Sequence, residues 1–266
     1  MRTIVDRIFR IKKYSRHIIP VLSSREPATI RTKGANKVQT LNVGRKPEKL
    51  VTVVFMGDSI TEGQYVHPPH RWVDIVSGEV MKSYLNSPLS FVFLAKGISG
   101  ETTRQGLERF PSDVQVHTPD LVTIQFGLND CNCWATDFGL PRVSEAAYRA
   151  NLIEMIERSR RFGAEKIVLS NNHSTLRQKP LLNGRTLEEQ RKLYNAIVSD
   201  VAREADVQFC DIDSEFAGLS RRELENELLP YPDWLHLSHS GHERYARKIL
   251  PYVASGLQEI AKARGF

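Results

Sequence analysis

The sequence predicts an α/β fold, a parallel β-sheet covered by helices on both faces. Three observations carry that prediction. Short apolar, β-branched runs alternate with longer segments whose apolar residues recur at helical spacing. The first run, in V-T-V-V-F-M-G-D-S-I-T-E-G (Val51–Gly63), is apolar without alternation, as a strand buried on both faces should be. Each run then ends in a polar turn, which sets the polar segments along the carboxyl edge of the sheet, where open α/β sheets bind ligands.

The elements follow in order. The first strand stops at Gly57-Asp58-Ser59. Trp72, Ile75, Val76, Val80 and Tyr84 then mark a helix. Leu89–Ala95 is a second strand, and Thr102–Phe110 a short helix opened by Thr102 or Thr103. Asp120–Phe126 is a third strand, stopped by Gly127. Ser144–Phe162 is a long helix, with Ser144 as its N-cap and Gly163 beyond its end. Lys166–Ser170 is the fourth strand. Thr186 and Glu189 stand in capping-box spacing and open a helix that runs to Ala205. Val207–Ile212 is the fifth strand, residues 220–229 are helical, and Ser240–Ala263 closes the chain as an amphipathic helix.

Residues 1–49 stand apart from this pattern. Residues 1–17 show weak amphipathic periodicity on a basic background, and Ser23–Lys49 is a polar strap with Pro27, Gly34, Gly44 and Pro47. The expected division is a basic extension over 1–49 and one domain over 50–266. Of the 37 Lys and Arg and 31 Asp and Glu, residues 1–50 carry 13 and 3, leaving 24 and 28 for the rest. The net charge of +6 therefore belongs to the extension, and the remainder is mildly acidic. Such a segment reads first as a solvated or loosely packed extension, with peripheral contact with an anionic surface as the alternative. It lacks aromatic interleaving and no nucleic-acid fold signature follows it, so nucleic acid is not an expected partner.

Three cysteines, Cys131, Cys133 and Cys210, make no disulfide framework and suit a reducing compartment. No window approaches the ~18 apolar residues of a membrane span, and no h-region of a signal peptide is present, so cytoplasmic residence is expected. Cys131-x-Cys133 lacks the second ligand pair of a zinc site. His236, His239 and His242 are evenly spaced and raise metal binding as an alternative. Ser238, Ser240 and Gly241 predict a turn and an N-cap there, which would point the rings apart. No metal or organic cofactor is expected.

Four polar segments carry the chemistry. Ser59 ends the first strand, as a nucleophile if a base reaches it or else as a helix cap. Gly97-Ile98-Ser99-Gly100-Glu101-Thr102-Thr103 follows the second strand, and a glycine there can aim an N–H into a cleft. In Gly127-Leu128-Asn129-Asp130, Asn129 brings an NH₂ donor suited to an oxyanion, or simply an Asx-turn. Asp233-Trp234-Leu235-His236 precedes the last helix and sets a carboxylate three residues from an imidazole, the pairing a serine nucleophile needs.

In order and spacing these four blocks resemble the SGNH hydrolases, the GDSL-type esterase superfamily, over about Val51 to Tyr252. The resemblance implies a three-layer α/β/α sandwich with a flavodoxin-like parallel five-stranded sheet. It implies Ser59 as nucleophile, Asp233 and His236 as acid and base, and Ser59, Gly100 and Asn129 as the oxyanion hole. The G-x-S-x-G elbow of the α/β-hydrolases is absent. Many relatives carry Asn where this chain has Ala95. Asp58 and Asp130 are expected to brace loops.

The implied activity is hydrolysis of a carboxylic ester, with a small or glycan-linked O-acyl ester as substrate. O-acyl transfer and lysophospholipid cleavage would use the same residues, whereas a non-catalytic binding module would show a broken triad. The insert Cys131–Val143 follows Asn129 and is aromatic. From it Trp134 and Phe138 are candidates to stack on a sugar or pack on an acyl chain, and Arg142 to meet an anionic group, unless all three merely pack the loop. His173, after the fourth strand, is a candidate pocket-lining residue.

Overall fold

The central strands owe their place to their apolar runs. In the computed structural model, which describes residues 46–228 and 232–266, β1 (Leu50–Gly57), β3 (Leu121–Gln125) and β4 (Lys166–Ser170) are buried almost throughout. The flanking strands β2 (Ser90–Gly97) and β5 (Gln208–Cys210) are half-exposed edges. All pairings are parallel and the order is β2-β1-β3-β4-β5, the flavodoxin-like order. The weakly amphipathic residues 1–17 and most of the strap over 23–49 lie outside the described residues.

The helices form two layers. On one side α2 (Trp72–Ser83) packs on the long C-terminal helix α8 (His239–Ala263), which also contacts β3, β4 and β5. On the other side α3 (Thr103–Asp113), α4 (Glu145–Arg161) and α5 (Leu187–Glu204) lie in sequence against one another. The core between them is built from Phe55, Trp72, Leu121, Tyr148, Val198, Tyr245 and their neighbours. The short helices are α1 (Ser59–Glu62), α6 (Ile212–Phe216) and α7 (Arg221–Glu227).

Local chemistry explains the boundaries. The fifth strand is three residues long instead of the expected six, because Asp211 turns to cap α6, its Oδ1 accepting from Ser214 N at 3.3 Å. The last helix starts one residue early, with Ser238 as N-cap accepting from Gly241 N. The helix expected over 220–229 ends at Glu227, and Leu228 instead bridges to Leu237. The helix expected to end at Phe110 runs on to Asp113 through Pro111.

Register then places the site. Gly57 pairs with both Gly97 and Gln125, and Gln125 pairs with Ser170, so four strands end level. The residues that follow these ends are the polar segments read from the sequence. They gather where the strand order reverses, at the crevice between the loops of β1 and β3.

Candidate active site

The first turn after β1 sets the nucleophile candidate. Asp58, not Ser59, is the N-cap of α1; its Oδ1 accepts from Ile60 N at 3.0 Å. Ser59 is therefore the first helical residue, and a first-turn N–H has no acceptor within its own helix. Ser59 is only 5% exposed. Trp72 Nε1 donates to Ile60 O at 2.9 Å and holds the short helix from below.

The Asp233–His236 loop closes over it. His236 Nε2 lies 2.9 Å from Ser59 Oγ, across 177 residues of sequence. His236 Nδ1 faces both oxygens of Asp233, at 3.1 and 3.0 Å. Trp234 has φ 48°, a left-handed conformation that curls the loop so the carboxylate sits behind the ring. Asp233 Oδ2 also accepts from Leu235 N at 3.1 Å and His236 N at 2.7 Å. Burial pulls the Asp233 pKa upward, but the ring and backbone hydrogen bonds from His236 and Leu235 outweigh it and hold the carboxyl well below the usual range.

Gly100 and Asn129 complete the rim. Gly100 has φ 79°, which a side chain would strain, and its N–H donates to nothing among the described residues. Its loop is tied down on both sides. Glu62 Oε2 accepts from Ser99 N at 2.7 Å and from Ser99 Oγ, while Arg142 Nη1 donates to Gly100 O at 2.8 Å. Asn129 is half-buried, with Nδ2 3.5 Å from Asp58 Oδ2, a weak contact.

Beneath the site runs a buried polar layer. Thr61 Oγ1 donates to Gln125 Oε1 at 2.9 Å, and Gln125 Nε2 to Asn172 Oδ1 at 2.7 Å. Asp130 accepts from Thr103 N at 2.9 Å and so anchors the start of α3. Burial pushes Asp58 up to about 7, against the lowering effect of its Ile60 and Gln125 hydrogen bonds; Asp130 beside it adds to the rise. Burial likewise pushes Asp130 up to about 6. Both carboxyls thus brace loops, as their positions in the sequence suggest.

The expected pocket residues are placed unequally. Trp134 is half-exposed, with the Arg142 guanidinium 3.9 Å from its ring centroid, so the pair forms a shelf beside Gly100. Arg142 is thereby committed to the Gly100 loop. Phe138 is 93% exposed, and its side chain packs against neither loop nor core. The expectation for His173 is corrected: it is fully buried, ring centroid 5.4 Å from that of Phe216, with Nδ1 2.7 Å from Ser174 O. An imidazole so enclosed cannot line an open pocket, and burial pulls its pKa down to about 3. Among His236, His239 and His242, the rings diverge. His239 stacks on His70 at 4.5 Å, and His242 Nδ1 accepts from Trp72 N at 3.3 Å. Among the described residues no group of three His, Cys, Asp or Glu side chains converges as metal ligands do.

Three further side chains complete the site without having been singled out from sequence. Tyr65, two-thirds exposed, stands edge-on to the His236 ring at 5.4 Å. Glu62 lies three residues after Ser59, a spacing that the motif offered. Arg177 pairs with Asp233 Oδ1 at 2.8 Å, and no spacing signal points to it.

Known proteins resemble this chain in sequence and fold. The model of the GDSL-like Lipase/Acylhydrolase family matches residues 55–244. The acetylxylan esterase of Geobacillus stearothermophilus is 27% identical over 217 residues, 74% of this chain and 91% of that protein. The uncharacterized lipoprotein YqeF of Bacillus subtilis is 36% identical over 123 residues, and the chain spans 47% of its length. Among solved structures, that of Axe2, an acetylxylan esterase from Geobacillus stearothermophilus, is similar at TM-score 0.61 and 25% identity, over 76% of this chain and 94% of that one.

Proposed function

The chain belongs to the GDSL-like lipase/acylhydrolase family, and on that premise we propose that it is a serine esterase cleaving a small or glycan-linked carboxylic ester. The observation that carries this reading is the unbroken relay from Ser59 Oγ to His236 Nε2 at 2.9 Å and from His236 Nδ1 to Asp233 at 3.0 Å. A broken relay would have favoured a binding module.

The mechanism follows from the geometry. Ser59 Oγ attacks the ester carbonyl as His236 Nε2 takes its proton. Asp233, held ionised by its donors, orients the ring and stabilises the imidazolium. The carbonyl oxygen becomes an oxyanion between the N–H groups of Ser59 and Gly100 and the Asn129 amide. His236 returns the proton to the departing alcohol; a water then attacks the acyl carbon as His236 takes its proton, and His236 passes that proton to Ser59 Oγ as the acid leaves.

The acetylxylan esterase relatives favour an acetylated sugar as the ester. The Trp134–Arg142 shelf offers an aromatic face and a planar cation for a sugar to rest on. In this reading residues 50–266 are the hydrolase domain, and the basic residues 1–49 give peripheral contact with an anionic surface. The three unpaired cysteines fit a reducing, cytoplasmic setting.

The test is hydrolysis of p-nitrophenyl esters of graded acyl length and of acetylated xylooligosaccharides, wild type beside Ser59→Ala, with mass spectrometry after a fluorophosphonate probe. The expected outcome is turnover fastest on acetyl esters, lost in Ser59→Ala, and a single label on Ser59. A folded wild type that neither turns over an ester nor takes the label defeats the esterase.

A further inference from the structure

We propose that Arg177 is a positioning residue for the catalytic pair: it anchors Asp233 from behind and shares its charge, and so sets how tightly His236 holds a proton. This rests on the serine esterase reading of Ser59, Asp233 and His236.

Arg177 sits in the loop after β4, 56 residues from Asp233 in sequence. Its Nη2 donates to Asp233 Oδ1 at 2.8 Å and its Nε to the Asp233 carbonyl at 2.7 Å. One planar fork therefore grips both the side chain and the main chain of the same residue, which a single ammonium cannot reproduce. The loop carrying it is tied to the same stretch. Thr175 Oγ1 and Leu176 N both donate to Trp234 O at 3.0 Å, and Thr175 Oγ1 accepts from Arg177 N at 3.2 Å.

The carboxylate is thereby shared. Leu235 N and His236 N donate to Oδ2, His236 Nδ1 faces both oxygens, and Arg177 takes Oδ1. Among these donors the guanidinium carries the permanent positive charge. A carboxylate already paired with a cation stabilises a second cation less, and the two cations repel. Taking Arg177 away would leave Asp233 unshared, and an unshared carboxylate stabilises an imidazolium more strongly. The other charged or titratable groups facing the pair are Asp58 before α1, Tyr65 after α1, His173 after β4, His242 on α8, and Arg221 of α7, which lies 5.9 Å from the Trp234 ring. All of these stay constant when Arg177 alone is changed.

The test is the His236 imidazole titration in full-length, ¹⁵N-histidine-labelled protein, read by NMR for wild type, Arg177→Gln and Arg177→Lys. The pH profile of kcat/KM is measured beside it. In Arg177→Gln the titration and the acid limb should move upward together by about half to one pH unit. Arg177→Lys should return both to the wild-type position, yet lower kcat several-fold at unchanged KM, because one ammonium cannot hold carboxylate and carbonyl together. An unmoved titration in Arg177→Gln, or equal movement in both variants, overturns the proposal. If Arg177→Gln does not fold, Arg177→Lys decides: unchanged kcat overturns it, and reduced kcat with an unmoved titration supports it. A titration that moves as expected in a protein that turns over no ester removes the esterase reading and leaves the role of Arg177 standing.

Discussion

Asn129 reaches the rim of the site from the turn after β3, with its amide only loosely held 3.5 Å from Asp58 Oδ2. A donor this lightly engaged is available to a charge that appears only in the transition state. Asn129→Ala should therefore lower kcat by about 10²–10³ with little change in KM, as steady-state kinetics on an acetyl ester would read. A loss expressed in KM alone would mean that Asn129 binds the ground state. Ser59, Asn129, Asp233 and His236 were legible in sequence because each follows a recognisable strand or precedes a recognisable helix. His173 is no pocket residue for a physical reason: its ring is buried against Phe216, a contact across 43 residues that no local pattern signals. Phe138 reads as a candidate by type, and its ring stands almost wholly in solvent.

The Ser59–His236 geometry at the scale of elements depends on how closely α1 lies against β2. A Cβ at Gly97 would fall 2.1 Å from Glu62 N and 2.5 Å from Thr61 C, both backbone atoms that cannot rotate away. Gly97 is thus where the short helix carrying Ser59 touches the neighbouring strand. Gly97→Ala should destabilise the fold by about 1–3 kcal/mol through overpacking, read as a lower urea midpoint. It should also push α1 outward and cut kcat through the Ser59–His236 distance. An unchanged midpoint would show that α1 does not bear on β2. The elements themselves were largely legible, since β1, β3 and β4 are apolar runs and α4, α5 and α8 carry their caps in sequence. The shortness of β5 was not, because Val207–Ile212 is apolar enough for a strand and the competing cap by Asp211 decides its end.

Taken across the molecule, buried titrating groups of opposite sense oppose each other in stability. Burial raises Asp58 to about 7 and Asp130 to about 6, from the ordinary carboxylate value of 3.8. Between those values the folded protein keeps protons that the unfolded chain has released. Their contribution is fully present below pH 3.8 and is lost as pH rises through the folded values. Burial lowers His173 and His242 to about 3, from 6.5, so their contribution is full above pH 6.5 and is lost as pH falls toward 3. Asp58→Asn keeps an acceptor for Ile60 N but removes one titrating carboxyl. Its stability relative to wild type should increase steadily from pH 4 to about pH 7 and then level off, measured by urea midpoints at each pH. A difference that does not vary with pH would show that Asp58 titrates alike in the folded and unfolded chain.

By itself the sequence determined the strand and helix alternation, the ends of the central strands, and the four polar segments that follow or precede them. Those features are local: apolar period, caps and turn residues act over a few positions and leave their mark in the residues themselves. Only the tertiary structure decided which residues outside those segments support them. The fold brings Glu62 to Ser99 across 37 residues and Arg177 to Asp233 across 56. A contact over such a separation is set by register and layer packing, and neither partner carries a local signal for it.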